Sequence, residues 1–196
     1  VFIVFELLDI IFCSVGGDSM SGLYLASGSP RRHELMDQVG MLHTVVASTY
    51  EEENDASSMS VADMVEAQAL GKARCAVGVP EDGIIIGADT IVVRDGEILG
   101  KPQTEAEAAD MLRSLSGRQH SVLTGVAIKR GDKERVFHVT TRVIFRKLRP
   151  AEIEGYIASG EPMDKAGAYG IQGIGALWVE GIEGSYTNVV GLPVEK

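Results

Sequence analysis

Residues 83–93, GIIIGADTIVV, form a near-continuous β-branched run that holds a single carboxylate, Asp89. Such a run reads as a buried strand, broken at Gly87-Ala88-Asp89-Thr90. A carboxylate between Ile84-Ile85-Ile86 and Ile91-Val92-Val93 is costly unless it has a partner. At the end of a buried strand it suits a metal ligand or a general base. Beside a glycine it equally suits a turn cap bonded to nearby N–H groups.

The other elements follow from period and punctuation. Leu23 to Ser27 is a short apolar strand, and Ser29 and Pro30 then read as N-cap and first residue of a helix with Leu35, Met36 and Val39 as its stripe. Thr44 to Ala47 reads as a strand, and a helix is predicted from near Ser60, with Lys72 close to its end. Asp95-Gly96 signals a hairpin. In TEAEAADMLRSLSG, Thr104 and Glu107 make a capping box, Ala108, Met111, Leu112 and Leu115 make a buried stripe, and Gly117 is the stop. Strands at 121–129 and 135–145 flank an Arg130-Gly131-Asp132 turn, and a helix spans about Pro150 to Ser159. Residues 159–175 are glycine-rich without period and read as a loop, followed by two short strands around Gly181–Gly184. The alternation of strands and helices, with strands clustered later, defines a mixed-sheet α/β protein.

Composition narrows the class of partner. With 45% apolar and 23% charged residues the chain reads as globular, and its net charge of −10 argues against coating a nucleic-acid polymer. A small anion held by a few converging cations is compatible with that balance. Cys13 and Cys75 stand apart without a C-x-x-C, which fits a reduced, cytoplasmic protein. The opening stretch VFIVFELLDIIFCSV is apolar but interrupted by Glu6 and Asp9, short for a membrane span and without a basic leader. Residues 1–19 therefore read as an extension outside the fold, with an apolar strand or interfacial anchor as the competing reading.

Arg31 and Arg32 carry the sharpest chemical signal. They follow Ser29-Pro30 at the start of a helix, where the macrodipole disfavours cations by about 0.3–1 kcal/mol each. An anion reverses the sign, because free N–H groups and guanidinium forks converge on it. The bland alternative pairs one arginine with Glu34 or Asp37 on the surface. Glu51, Glu52 and Glu53 read as a solvated run, or one of them shares Mg²⁺ with Asp89. Lys101 lies at a rigid Lys-Pro entry to the capped helix, and Lys72 suits a helix C-terminus. Asp164, Lys165 and Gln172 occupy the glycine-rich stretch, where backbone can approach a ligand closely. No P-loop, G-x-G-x-x-G or H-E-x-x-H occurs, and the four histidines show no ligand spacing.

The segments LYLASGSPRRHEL, IIIGADTIVV, GKPQTEAEAADMLRSLSGRQHSVLTGVAI, GEPMDKAGAYGIQG and NVVGLP together resemble the Maf family of nucleotide pyrophosphatases, from about Leu23 to Pro193. The resemblance implies a domain over 20–196 with an elongated mixed β-sheet and flanking helices in two lobes, like inosine triphosphate pyrophosphatase. It also implies a final C-terminal helix that this chain lacks after Lys196. The implied activity is hydrolysis of nucleoside triphosphates, dTTP and UTP, to monophosphate and pyrophosphate, with Mg²⁺ or Mn²⁺, in a cytoplasmic homodimer that binds no membrane. Asp89 matches the family's proton acceptor, and Arg31, Thr90 and Gln172 match positions tied to substrate choice. Ser27, Arg32, Lys72 and Lys101 match the lining that binds phosphate and nucleotide, while Glu52 and Asp89 match the metal side. The same resemblance leaves two alternatives: a modified nucleotide such as 7-methyl-GTP, and a regulatory role in septum formation.

Overall fold

The computed structural model describes residues 22–51 and 59–196. Residues 1–19 and Glu52 lie outside the described residues, so the readings made for them are not addressed by the fold. The elements run β1 (Leu23–Ala26), α1 (Pro30–Gln38), β2 (Thr44–Val45), α2 (Val61–Arg74), β3 (Ile84–Arg94), β4 (Glu97–Leu99), α3 (Glu105–Leu115), β5 (Gln119–Arg130), β6 (Lys133–Phe145), α4 (Pro150–Ala158), β7 (Val179–Glu183) and α5 (Tyr186–Val190). The strands make one seven-stranded mixed sheet in the order β2-β1-β3-β5-β6-β7, with β4 pairing β3. This is the expected mixed α/β sheet with flanking helices.

Register explains where a cleft can open. β1 runs parallel to β3 only from Leu23↔Ile84 to Ala26↔Gly87, and β4 pairs β3 antiparallel only from Val92 onward. β5 covers the opposite edge of β3 from Ile85 to Val93. The β3 edge from Ala88 to Ile91 therefore faces the space between the end of β1 and β4. Asp89 and Thr90 sit in that stretch.

The strand alternates its side chains between two apolar layers. On one face Ile85 packs with Ala26, Ala69 and Ala73, and Ile91 packs with Met64, Val65 and Leu123, so α2 covers this side. On the other face Ile86 and Ala88 join Leu35, Met36 and Val190 from α1 and α5, while Val92 joins a separate cluster with Leu112, Leu115, Tyr156 and Trp178. Each fully buried leucine in these layers contributes about 1.5–3 kcal/mol relative to exposure.

Local chemistry settles the ends. Ser60 caps α2 by accepting from the Asp63 N–H at 3.1 Å, and Thr104 caps α3 by accepting from the Glu107 N–H at 3.1 Å. The Glu107 carboxylate reaches the Gln103 N–H at 2.7 Å, one residue before the expected partner in the capping box. Asp95 and Gly96 both take positive φ, 51° and 83°, as the β3–β4 hairpin requires.

Three expectations are corrected. Gly87-Ala88-Asp89-Thr90 does not break the apolar run, because β3 is continuous and β5 pairs with it through the whole stretch, with β1 pairing as far as Gly87. Residues 159–175 are not plain loop but fold into 3-10 turns at Glu161–Asp164, Ala166–Ala168 and Gly173–Trp178. The second of the two late strands is instead α5, because Ser185 caps it through the Asn188 N–H at 3.0 Å.

Candidate active site

Asp89 is buried at the floor of a cleft of about 800 Å³. Its partner is Lys72 of α2, whose Nζ donates to Oδ1 at 2.6 Å. The helix can reach this position because two glycines remove side chains beneath it. A Cβ on Gly87 would fall 2.2 Å from the Ala69 carbonyl oxygen, and one on Gly125 would fall 2.2 Å from that of Val65. Contacts that short are forbidden, so α2 lies on bare backbone of β3 and β5. Lys72 is thereby placed over the strand, doing more than complementing a helix end.

Thr90 points to the opposite face, where it joins a directed chain of hydrogen bonds. Arg32 Nη2 donates to Thr90 Oγ1 at 3.0 Å. Thr124 Oγ1 donates its one proton to the Asn188 carbonyl at 2.9 Å, so Thr90 must be the donor across the 2.9 Å contact to Thr124. Asn188 Nδ2 then donates to the Val122 carbonyl at 3.1 Å and to Thr141 Oγ1 at 2.9 Å. Thr124, Thr141 and Asn188 are fully buried.

Arg32 ties three segments together. Its Nε donates to the Gly191 carbonyl at 2.7 Å and its Nη1 to Ser27 Oγ at 2.8 Å, beside the Thr90 bond. Ser27 Oγ also accepts the Ser29 N–H at 3.2 Å, and Ser29, although it stands at the N-cap position, makes no side-chain cap. Arg31 diverges from its neighbour and meets Asp164 at 3.1 Å. Among the described residues the ion pair of Arg31 is with Asp164, not with Glu34 or Asp37. Burial works against the Asp164 carboxylate, yet hydrogen bonds from Lys165 and Arg31 outweigh it and hold the carboxyl below its usual range.

The remaining expected residues that are described also line this cleft. Lys101, exposed ahead of α3, and Gln172, ahead of the last 3-10 turn, both reach it. Ser27, Arg31, Arg32, Lys72, Asp89, Thr90, Lys101 and Gln172 thus converge from five separate stretches of chain. A hard cation takes one or two carboxylates together with phosphate oxygens. Asp89 fits that donor set, because Lys72 engages only Oδ1 of its two oxygens.

Sequence reasoning assigned no role to Asn188, Thr124 or Gly191, which hold Arg32 and Thr90 from behind. An asparagine within the apolar NVVGLP was the available signal, since a buried amide needs partners. Tyr169 was also missed: it lines the cleft and its hydroxyl lies 2.7 Å from buried His120 Nε2.

Fold and cleft together define an α/β protein that sets a buried carboxylate–lysine pair among converging cations. A family model described as Maf-like protein matches residues 22–196, and this chain belongs to that family. A Moorella thermoacetica relative named dTTP/UTP pyrophosphatase is 52% identical over 177 residues, covering 89% of this chain and 91% of the relative. One of the same name from Symbiobacterium thermophilum is 55% identical over 178 residues, covering 90% and 91%. A solved structure, the Staphylococcus aureus Ham1 protein, is similar at a TM-score of 0.45 and 15% identity over 64% of this chain and 72% of that one, too distant to carry an inference. Among the described residues no helix is long and apolar enough to cross a membrane.

Proposed function

We propose that this protein hydrolyses dTTP and UTP between the α and β phosphates, releasing a nucleoside monophosphate and pyrophosphate. The observation that carries the reading is the Lys72–Asp89 pair at 2.6 Å on the floor of a cleft that Arg31, Arg32 and Lys101 also line. The names of close relatives supply the substrate class.

The chemistry asks for an in-line water, a path for its proton and compensation of charge on the leaving pyrophosphate. Asp89 is the acceptor for the water proton, and the Lys72 ammonium fixes its orientation through Oδ1. Lys101 and the guanidinium of Arg32 place positive charge along the phosphates. Asp89, with Glu52, would hold a Mg²⁺ or Mn²⁺ ion that neutralises phosphate charge. Gln172 presents an amide able both to donate and to accept, which suits reading a pyrimidine edge. Thr90 gives its proton to Thr124, so its part in substrate choice is to fix Arg32 and the shape of the wall. Arg31, held by Asp164 across the cleft, borders the entry for the nucleotide.

The reading places the enzyme in the cytoplasm as a homodimer, and sedimentation equilibrium tests the assembly. The decisive experiment measures pyrophosphate release with Mg²⁺ across dTTP, UTP, the other common triphosphates and 7-methyl-GTP. Preferential turnover of dTTP and UTP is expected. Turnover of none of them would overturn the reading, and preference for 7-methyl-GTP would replace its substrate.

A further inference from the structure

Toward the far end of α1 from the cleft lies a group of side chains that the proposed hydrolysis does not use. His33, Asp37 and His43 bring two imidazoles and a carboxylate together, with one donor atom of each within 4.8 Å of the others. His33 and Asp37 are i,i+4 neighbours on α1, so the helix presents them on one face. His43 comes from the chain just before β2, and its side chain is 1% exposed.

Hydrogen bonding orders the protons in the neutral pair. His43 Nδ1 lies 2.7 Å from the Met41 carbonyl oxygen, which can only accept, so Nδ1 carries the hydrogen. His43 Nε2 is then an acceptor, and His33 Nδ1, 2.7 Å away, donates to it. This leaves the lone pair of the His33 ring on Nε2, which faces Asp37 Oδ2 at 3.5 Å. Two electron-pair donors are thus held opposite one another. Two ligands bonded to one zinc ion at about 2.0–2.1 Å each stand about 3 to 3.5 Å apart.

We infer that His33 Nε2 and the Asp37 carboxylate form a binding site for a divalent transition-metal ion of the Zn²⁺ type, with His43 orienting His33. An imidazole whose second nitrogen donates to a fixed acceptor is the usual support for a metal-ligating histidine. Imidazole with carboxylate suits Zn²⁺, Ni²⁺ or Cu²⁺, whereas Mg²⁺ prefers oxygen ligands. The site is therefore chemically distinct from the cleft. Helix polarity points the same way: α1 ends without a basic residue in its last turn, and Asp37 stands there instead. A cation bound at that turn complements the negative end of the macrodipole.

Zinc titration by calorimetry, on the full chain in excess Mg²⁺, tests the site. Wild type should bind one more Zn²⁺ than His33→Gln or Asp37→Asn, and Zn²⁺ should raise the Tm of wild type more than that of either variant. Asp37 is more than half exposed, so Asp37→Asn should melt like wild type without zinc, and His33→Gln, which also removes the donor to buried His43, is compared with its own zinc-free Tm. His43→Ala should weaken binding by about 10- to 100-fold, as loss of an orienting partner does. Equal zinc stoichiometry and affinity in wild type, His33→Gln and Asp37→Asn would overturn the inference.

Discussion

Asp89 and Thr90 are adjacent in sequence yet answer to opposite faces of the sheet, one to Lys72 and the other to Arg32. Asp89→Asn keeps a side-chain oxygen for Lys72 but cannot take a proton from water. It should retain the wild-type Tm within a few degrees and lose about 10²- to 10⁴-fold in kcat, the range of general-base catalysis. Pyrophosphate release and a thermal melt on the same preparation check both halves. Asn188→Ala acts differently, since it strips the donors from the Val122 carbonyl and Thr141 Oγ1 inside the protein. Stability should fall by about 1–3 kcal/mol, read as a lower urea midpoint. Asp89 was legible in the sequence because a carboxylate in an apolar run is conspicuous. Asn188 was not, because its partners lie 66 and 47 residues away.

At the scale of elements, α2 matters through its closeness to the sheet. Gly125→Ala would put a methyl group 2.2 Å from the Val65 carbonyl oxygen and push the helix outward. A loss of about 1–3 kcal/mol is expected from such overpacking. Activity should drop alongside it, because Lys72 moves with the helix. Gly155→Ala in α4 is the contrast: nothing lies within 4 Å of the added carbon. That change should be neutral or stabilise by up to about 1 kcal/mol. Differential scanning calorimetry of both variants measures the difference. The helices themselves were largely legible from caps and stripes: α3 buries Ala108, Leu112 and Leu115 as expected with Met111 only partly buried, whereas Val39, expected in the α1 stripe, lies past the helix end and is half exposed. α5 was not, because NVV is β-branched apart from its asparagine and reads locally as strand; the Ser185 cap and burial against the sheet override that propensity.

For the whole molecule, His120 couples stability to pH. Burial against Phe145 and Tyr169 lowers its pKa to about 4 from an ordinary value of 6.5. Between those values the unfolded chain binds the proton and the folded one does not, so stability rises with pH across the window. Falling from pH 6.5 to 4 should cost up to roughly 3 kcal/mol through this group, at about 1.4 kcal/mol per unit. Urea midpoints measured across that range should lose this component of the slope in His120→Gln.

Caps, periodicity and misplaced charges are local signals, so most elements, the mixed α/β class and most of the cleft residues were legible along the chain, while α5 and the 3-10 turns were not. Even the acidic total left room for cations in one place. How those residues are used follows from long-range packing. Register stopped β1 short of Asp89 and opened the edge of β3, and two glycines let α2 approach until Lys72 met the carboxylate. The arginines separated, Arg32 inward to Gly191 and Ser27 and Arg31 across to Asp164. Each of these outcomes depends on contacts between residues distant in sequence, which no local pattern encodes.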